Sequence, residues 1–204
     1  NLIEATADDG SDVDTVAKIQ ALVDAQNVAL NAISIAAENN SATATSPSLA
    51  TYQAAGIAGV TSSNLATINS GLNTTSSATN GATLGKAVPI TDFIRPYLEV
   101  LTKADGVRGN SSSLSVDAGE LQVAGLTPSF SSTEQTTLFN DVIDGLDAAA
   151  VDTAAELQTL IDHVANVLAG TSTSSTGKPS LAALQAFGIE NVTADNIDKV
   201  QALF

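Results

Sequence analysis

Cysteine, methionine and tryptophan are absent from the chain, and aromatic residues make up only 3% of it. Without cysteine there is no disulfide framework, no thiol nucleophile and no thiolate zinc site. The absence does not argue against the outside of a cell, where many bacterial surface proteins avoid cysteine. Basic residues are scarce too: seven Lys and Arg face 22 Asp and Glu, for a formal net charge of −15. Such a surface repels nucleic acid and anionic lipid, so neither is expected as a partner. No apolar run approaches the ~20 residues needed to span a bilayer, and no signal peptide precedes Asn1-Leu2-Ile3-Glu4. The start reads as that of a mature or excised segment.

What the chain does have is alanine, aliphatic residues and repetition. The hydrophobic share is 44%, enough for small cores of Ala, Leu, Val and Ile. The segment Asp14-Thr15-Val16-Ala17-Lys18-Ile19-Gln20-Ala21-Leu22-Val23-Asp24 returns as Asp152-Thr153-Ala154-Ala155-Glu156-Leu157-Gln158-Thr159-Leu160-Ile161-Asp162. Pro47-Ser48-Leu49-Ala50-Thr51-Tyr52-Gln53-Ala54-Ala55-Gly56-Ile57 returns as Pro179-Ser180-Leu181-Ala182-Ala183-Leu184-Gln185-Ala186-Phe187-Gly188-Ile189. Val60-Thr61 and Asn64-Leu65 likewise match Val192-Thr193 and Asn196-Ile197. A weaker copy lies between, at Glu120-Leu121-Gln122-Val123-Ala124-Gly125-Leu126. Neighbouring copies are about 65–70 residues apart, longer than most solenoid repeats, so each copy reads as a small domain.

The blocks are predicted helices. Val16, Ile19, Leu22 and Val23 step by three and four onto one helical face, as do Leu157, Leu160, Ile161, Val164 and Leu168. Asp14 and Thr15 are good N-caps, and Thr153 with Glu156 has capping-box spacing, as do Ser131 and Glu134. Gly56, Gly125 and Gly188 close Ala-rich blocks where a left-handed C′ residue is wanted. Thr61 and Thr193 then open helices carrying Leu65, Ile68 and Leu72, or Ile197, Val200 and Phe204. Pro89 stands near the start of another helix, and Pro96 falls inside it, where it should kink or split the pattern. Ser/Thr/Asn/Gly-rich stretches at Asn39–Pro47, Asn73–Gly85, Arg108–Ser113 and Gly170–Pro179 read as flexible or loosely docked linkers. Strand signals are nearly absent, and the expected class is all-α.

The turn Tyr52-Gln53-Ala54-Ala55-Gly56-Ile57 followed by Val60-Thr61-Ser62-Ser63-Asn64-Leu65 resembles the junction of the first two helices in GA-type modules. Leu184 to Ile189 with Val192 to Ile197 does so as well, and the helices after Asp14 and Asp152 look like the third helix of such a module. Modules of this type recur in very long bacterial adhesins, so the resemblance implies tandem three-helix bundles and a secreted, cell-surface setting. Some bind serum albumin; the long Ser/Thr linkers and alanine-rich helices here depart from them, and no albumin-binding residues are carried over. In that framing residues 1–40 end a preceding module, 48–105 and 114–170 are three-helix modules, and 179–204 supply two helices of an incomplete one. Apolar residues at the two ends, Ile197, Val200, Leu203 and Phe204 together with Leu2 and Ile3, are the expected assembly interface.

Catalytic chemistry has little to stand on. His163 is the only histidine, without a nucleophile motif, and reads as a boundary residue of its helix. No Gly-rich phosphate loop is present. Paired carboxylates for glycoside hydrolysis would need a rigid cleft. Asp8-Asp9-Gly10-Ser11-Asp12-Val13-Asp14 suggests calcium, yet it lacks the spacing and the bidentate Glu of an EF-hand loop, and a solvated turn ending in an N-cap is the preferred reading. Asp144-Gly145-Leu146-Asp147 is a less acidic turn of similar kind. Asn39, Asn73, Asn110 and Asn191 match the N-glycosylation pattern, which so Ser/Thr/Asn-rich a chain produces by chance. The expectation is therefore a non-enzymatic structural repeat without cofactors: a spacer or self-assembling subunit of an adhesin, surface layer or filament, docking end to end with itself. The competing readings are a module that binds a host protein or glycan through a helical face, and a flagellin-like filament protein, against which the tandem repeat argues.

Overall fold

A computed structural model describes residues 10–39, 45–72, 90–109, 114–130, 132–170 and 178–203. The linkers expected at 73–85, and most of the other three, lie outside these residues, as do Leu2, Ile3, Pro89, Ser131 and Phe204. The protein is all-α. Among the described residues the helices are α1 (Val16–Asn39), α2 (Leu49–Ala54), α3 (Leu65–Leu72), α4 (Ile90–Lys103), α5 (Ala118–Val123), α6 (Thr133–Asp144), α7 (Ala154–Gly170), α8 (Leu181–Ala186) and α9 (Ile197–Gln201), with a 3-10 turn at Ala148–Ala150. Among the described residues there is no strand, only an isolated antiparallel bridge between Asp105 and Asp147. The chain divides into two compact units, Asn1–Leu98 and Glu99–Phe204, the division falling within α4.

Local chemistry places the helix starts. Ser48, Asp117 and Ser180 cap α2, α5 and α8, each accepting a main-chain N–H three residues on. That bond satisfies one of the amides a helix start leaves over. Thr15 does the same for α1, accepting from Lys18 N, and Thr153 and Glu156 exchange both bonds of a capping box. At α6 the box forms one residue later than expected. Ser132 accepts from Gln135 N while the Gln135 side chain accepts from Ser132 N, so Gln135 replaces Glu134 as the reciprocal partner. The carboxyl of Glu134 is held below the usual carboxylate range by its own main-chain N–H and then by Ser132, in keeping with an acid in a first turn. α4 runs unbroken through Pro96, so the expected split does not occur. It carries Asp92 in its first turn and Lys103 in its last, the signs the helix dipole favours.

The first unit buries Ile33, Tyr52, Ile68, Leu72, Phe93, Ile94 and Tyr97. Phe93 and Tyr97 lie with ring centroids 5.9 Å apart. α3 meets α4 closely at Gly71, where an added Cβ would stand 2.6 Å from the Tyr97 ring. The second unit buries Val116, Leu121, Phe139, Ile143, Leu157, Ile161, Val164 and Leu184, and pairs Phe130 with Phe139 at 5.3 Å. One charged pair joins that core: Lys103 Nζ lies 3.8 Å from Asp144 Oδ1, with both side chains almost wholly buried. Asp144 Oδ2 also accepts from Gly109 N at 2.5 Å, and Arg108 donates to the Phe187 carbonyl at 3.0 Å. The segment after α4, expected to be a loose linker from Arg108, is thus anchored through Gly109 to the end of α6 and to the residue that follows α8.

Candidate assembly surface

One helix pair is built three times from the same bonds. α2, α5 and α8 each end in a glycine of positive φ (74° at Gly56, 82° at Gly125, 68° at Gly188). The next amide reaches back over the turn: Ile57 N to Tyr52 O, Leu126 N to Leu121 O, Ile189 N to Leu184 O, at 2.9 to 3.2 Å. Only a residue free of Cβ strain adopts this left-handed C′ geometry readily, which is why glycine recurs there. Asn64 and Asn196 then occupy matching turns. Each accepts from a threonine amide, Thr61 N or Thr193 N, and donates to a carbonyl five residues back, Gly59 O or Asn191 O. Val60, Phe130 and Val192 are buried beneath these turns.

A carboxamide from the second helix closes each pair. Asn69 donates to Pro47 O, Asn140 to Val116 O and Gln201 to Pro179 O, at 2.9 to 3.0 Å. In every case the acceptor immediately precedes the capping residue of the first helix. Asn140 goes further, accepting from Val116 N and donating to Thr136 O as well. In the first copy the Tyr52 hydroxyl donates to Asn69 Oδ1 at 2.9 Å.

The two long helices α1 and α7 correspond residue by residue, but their surroundings differ. Gln20 and Gln158 each donate to an aspartate one turn on, Asp24 or Asp162, at 2.9 Å. In α7 Leu157 and Ile161 are fully buried. Gln158 there also accepts from Thr127 N and donates to Thr127 O, in the turn just after Leu126. In α1 the matching Ile19 is 46% exposed and Val23 43%. Only the later part of α1 is covered: Ala29, Ile33, Ala36 and Ala37 are buried, and Gln26 donates to Ala55 O of the following pair. α7 likewise packs on its following pair, with Asn166 accepting from Ser180 N.

The pair α8–α9 shows the converse. Ile57 and Leu126 are 7% and 4% exposed, whereas their counterpart Ile189 is 42% exposed. Val200 is half-buried where its counterparts Ile68 and Phe139 are fully buried, and Leu203 is 84% exposed. Of the residues expected to form an assembly interface, Ile197 and Val200 are half-buried and Leu203 exposed, while Phe204, Leu2 and Ile3 lie outside the described residues. Ile19, Val23 and Ile189 were not singled out from sequence as exposed. No local pattern marks them, because periodicity shows an apolar face but not whether anything lies over it.

Comparison with protein-family models, with curated proteins and with solved structures returns no match.

Other features offer less. A hollow of about 200 Å³ is lined by Leu146, Ala150, Glu156, Thr159, Leu160, His163 and Ala186. Leucine and alanine dominate it, and His163 is half-exposed at its edge. Asp152 is pushed above its usual range, first by its hydrogen bond with Glu156 at the start of α7. Among the described residues no three His, Asp or Glu side chains converge on a metal-sized site. In the acidic turn before α1, Lys18 holds Asp14 at 2.8 Å and donates to Ser11 O. Among the described residues no helix is long and apolar enough to cross a membrane.

Proposed function

We infer that this chain is a structural repeat segment of a secreted bacterial surface protein, a spacer or self-assembling subunit made of tandem three-helix modules. The observation that carries the reading is the threefold recurrence of one helix pair with the same cap, the same glycine turn and the same carboxamide tie. Repeats that bury a face only against their neighbours gain stability from the array. An enzyme has no need of three like pairs, whereas a spacer or filament does. The strong negative charge keeps such an array soluble.

Recognition of a host protein or glycan through a helical face is the weaker reading. Aromatic anchors dominate such contacts, and Tyr52, Phe93, Tyr97, Phe130, Phe139 and Phe187 are all buried. Antibodies raised against the chain test the surface reading on intact cells of its source. Labelling without permeabilisation is expected; labelling that requires permeabilisation overturns it.

A further inference from the structure

We propose that the segment 104–109 is a latch that fixes the third helix pair, α8–α9, against the second, α5–α6, with Arg108 as its pin. This deepens the spacer reading above and rests on it, because a spacer is stiff only where consecutive repeats are held at more than one point.

The base of the latch is bound along the turn that follows α6. Gly106 N donates to Leu146 O at 3.0 Å, Asp105 bridges to Asp147, and Gly109 N donates to Asp144 Oδ2. Gly106 and Gly109 have φ of 76° and 84°, and Val107 N closes on Asp105 Oδ1 at 2.9 Å. The segment is therefore a tight loop and not an extended linker. Beneath it lies the buried Lys103–Asp144 pair. Asp144 Oδ1 has no hydrogen-bond partner, so among the described residues the bond from Gly109 is the one hydrogen bond this carboxylate accepts. Opening the loop leaves a buried charge without it, which holds the latch shut.

The pin leaves that base for the next repeat. Arg108 Nη2 donates to Phe187 O at 3.0 Å, across 79 positions of sequence. That carbonyl is one of those the end of α8 leaves over. The guanidinium fills the space above two turn glycines. A Cβ at Gly145 would stand 2.5 Å from Arg108 Nε, and one at Gly188 3.1 Å from Nη2. Gly188 needs glycine in any case, for its φ of 68°. Gly145 does not: its φ of −96° and ψ of 0° suit a residue with a side chain, and it is Arg108 that excludes one.

α8 is thus held at both ends. At its start Ser180 N donates to Asn166 Oδ1 of α7 at 2.8 Å, and at its finish Arg108 holds the Phe187 carbonyl. One attachment lets a helix of six residues turn about it. Two fix its direction, and with it the setting of one repeat against the next.

Amide hydrogen exchange on the full chain with Arg108→Ala, Gly145→Ala and the double variant tests the latch. Arg108 is exposed and Gly145 stands at a helix end, so circular dichroism is expected to show the parent's helix content in all three. Arg108→Ala should speed exchange at Phe187, Gly188 and Ile189 about 5–10-fold, the equivalent of one hydrogen bond. The amides of Leu157 to Val164 in α7 should keep their rates. Gly145→Ala should act in the same way, because its Cβ displaces the guanidinium. In the double variant the second change should add nothing, since the two act through one contact.

Unchanged rates in Arg108→Ala overturn the proposal, as does Gly145→Ala acting as strongly once Arg108 is gone. Faster exchange through α7 as well overturns it too, since Arg108 would then support the core and not pin α8. Surface labelling is independent of all these results. A chain that labels intact cells but exchanges unchanged defeats the latch alone, and a latched chain confined to the cell interior defeats the surface reading alone.

Discussion

Asn140 illustrates how single polar residues hold these small cores. Its side chain is buried and satisfies both the N–H and the carbonyl of Val116, 24 residues earlier, and the Thr136 carbonyl besides. Alanine there leaves two buried main-chain groups of Val116 without partners. A loss of about 1–3 kcal/mol is expected in urea unfolding, and aspartate cannot substitute because it has no N–H to give. Tyr52 and Tyr97 carry a pH dependence of definite sign. Burial pushes both phenols well above their ordinary 10.0, so the native state resists ionisation while the unfolded chain does not. Their stabilising contribution is complete below pH 10 and is lost as pH rises above it. The thermal midpoint should therefore fall on moving from pH 9 to pH 11. Tyr97→Phe should flatten that fall. Tyr52→Phe should do the same while losing about 1 kcal/mol for the bond to Asn69.

Among the elements, the contrast between α1 and α7 separates what a helix is from where it is. Leu157→Ala should cost about 2–5 kcal/mol, because it opens a cavity in a closed core. Ile19→Ala, the same place in the repeat, should change the unfolding of dilute protein by no more than about 0.5 kcal/mol. Similar costs at the two positions would mean that α1 is covered after all. Gly71 is a second test. Alanine normally favours a helix by about 1 kcal/mol over glycine. Here its Cβ would meet the Tyr97 ring, which is fully buried beside Phe93 and has nowhere to retreat. Gly71→Ala should therefore destabilise the first unit by about 1–3 kcal/mol.

These elements also mark how far the amino-acid order alone reaches. Periodicity and turn glycines were sufficient to place helices at Val16, Leu49, Ala154 and Leu181, because those signals are local. The start of α6 was placed one residue early. Ser131-Ser132-Thr133-Glu134-Gln135 holds two overlapping capping boxes, and Gln serves as well as Glu. Asp144 looked like part of a solvated turn, and its partner Lys103 is too distant in sequence for any local pattern to pair them. Periodicity likewise shows that Ile19 and Val23 share an apolar face but carries no information on whether anything lies over it. The expected interface at Ile197, Val200 and Leu203 followed from an unfinished pattern. Ile189 is exposed where its counterparts Ile57 and Leu126 are buried, and three like sequences give no sign of that difference.

At the scale of the whole molecule, charge and repetition act together. A net charge of −15 on a chain of 204 residues opposes compaction through self-repulsion. Moderate sodium chloride should accordingly raise the thermal midpoint, a trend that a scan from low to physiological ionic strength would read directly. The short pairs contribute Tyr52, Ile68, Leu72 and Leu184 to the buried core, and the later half of α1 and the whole of α7 pack on the pair that follows each.

Amide hydrogen exchange, followed residue by residue in dilute protein, tests this account most directly. The amides of Val16–Val23 should exchange far faster than those of the matching Ala154–Ile161, because Ile19 and Val23 are exposed where Leu157 and Ile161 are buried. Equal protection of the two segments in the dilute monomer would contradict the account, since the face of α1 would then already be covered within a single chain.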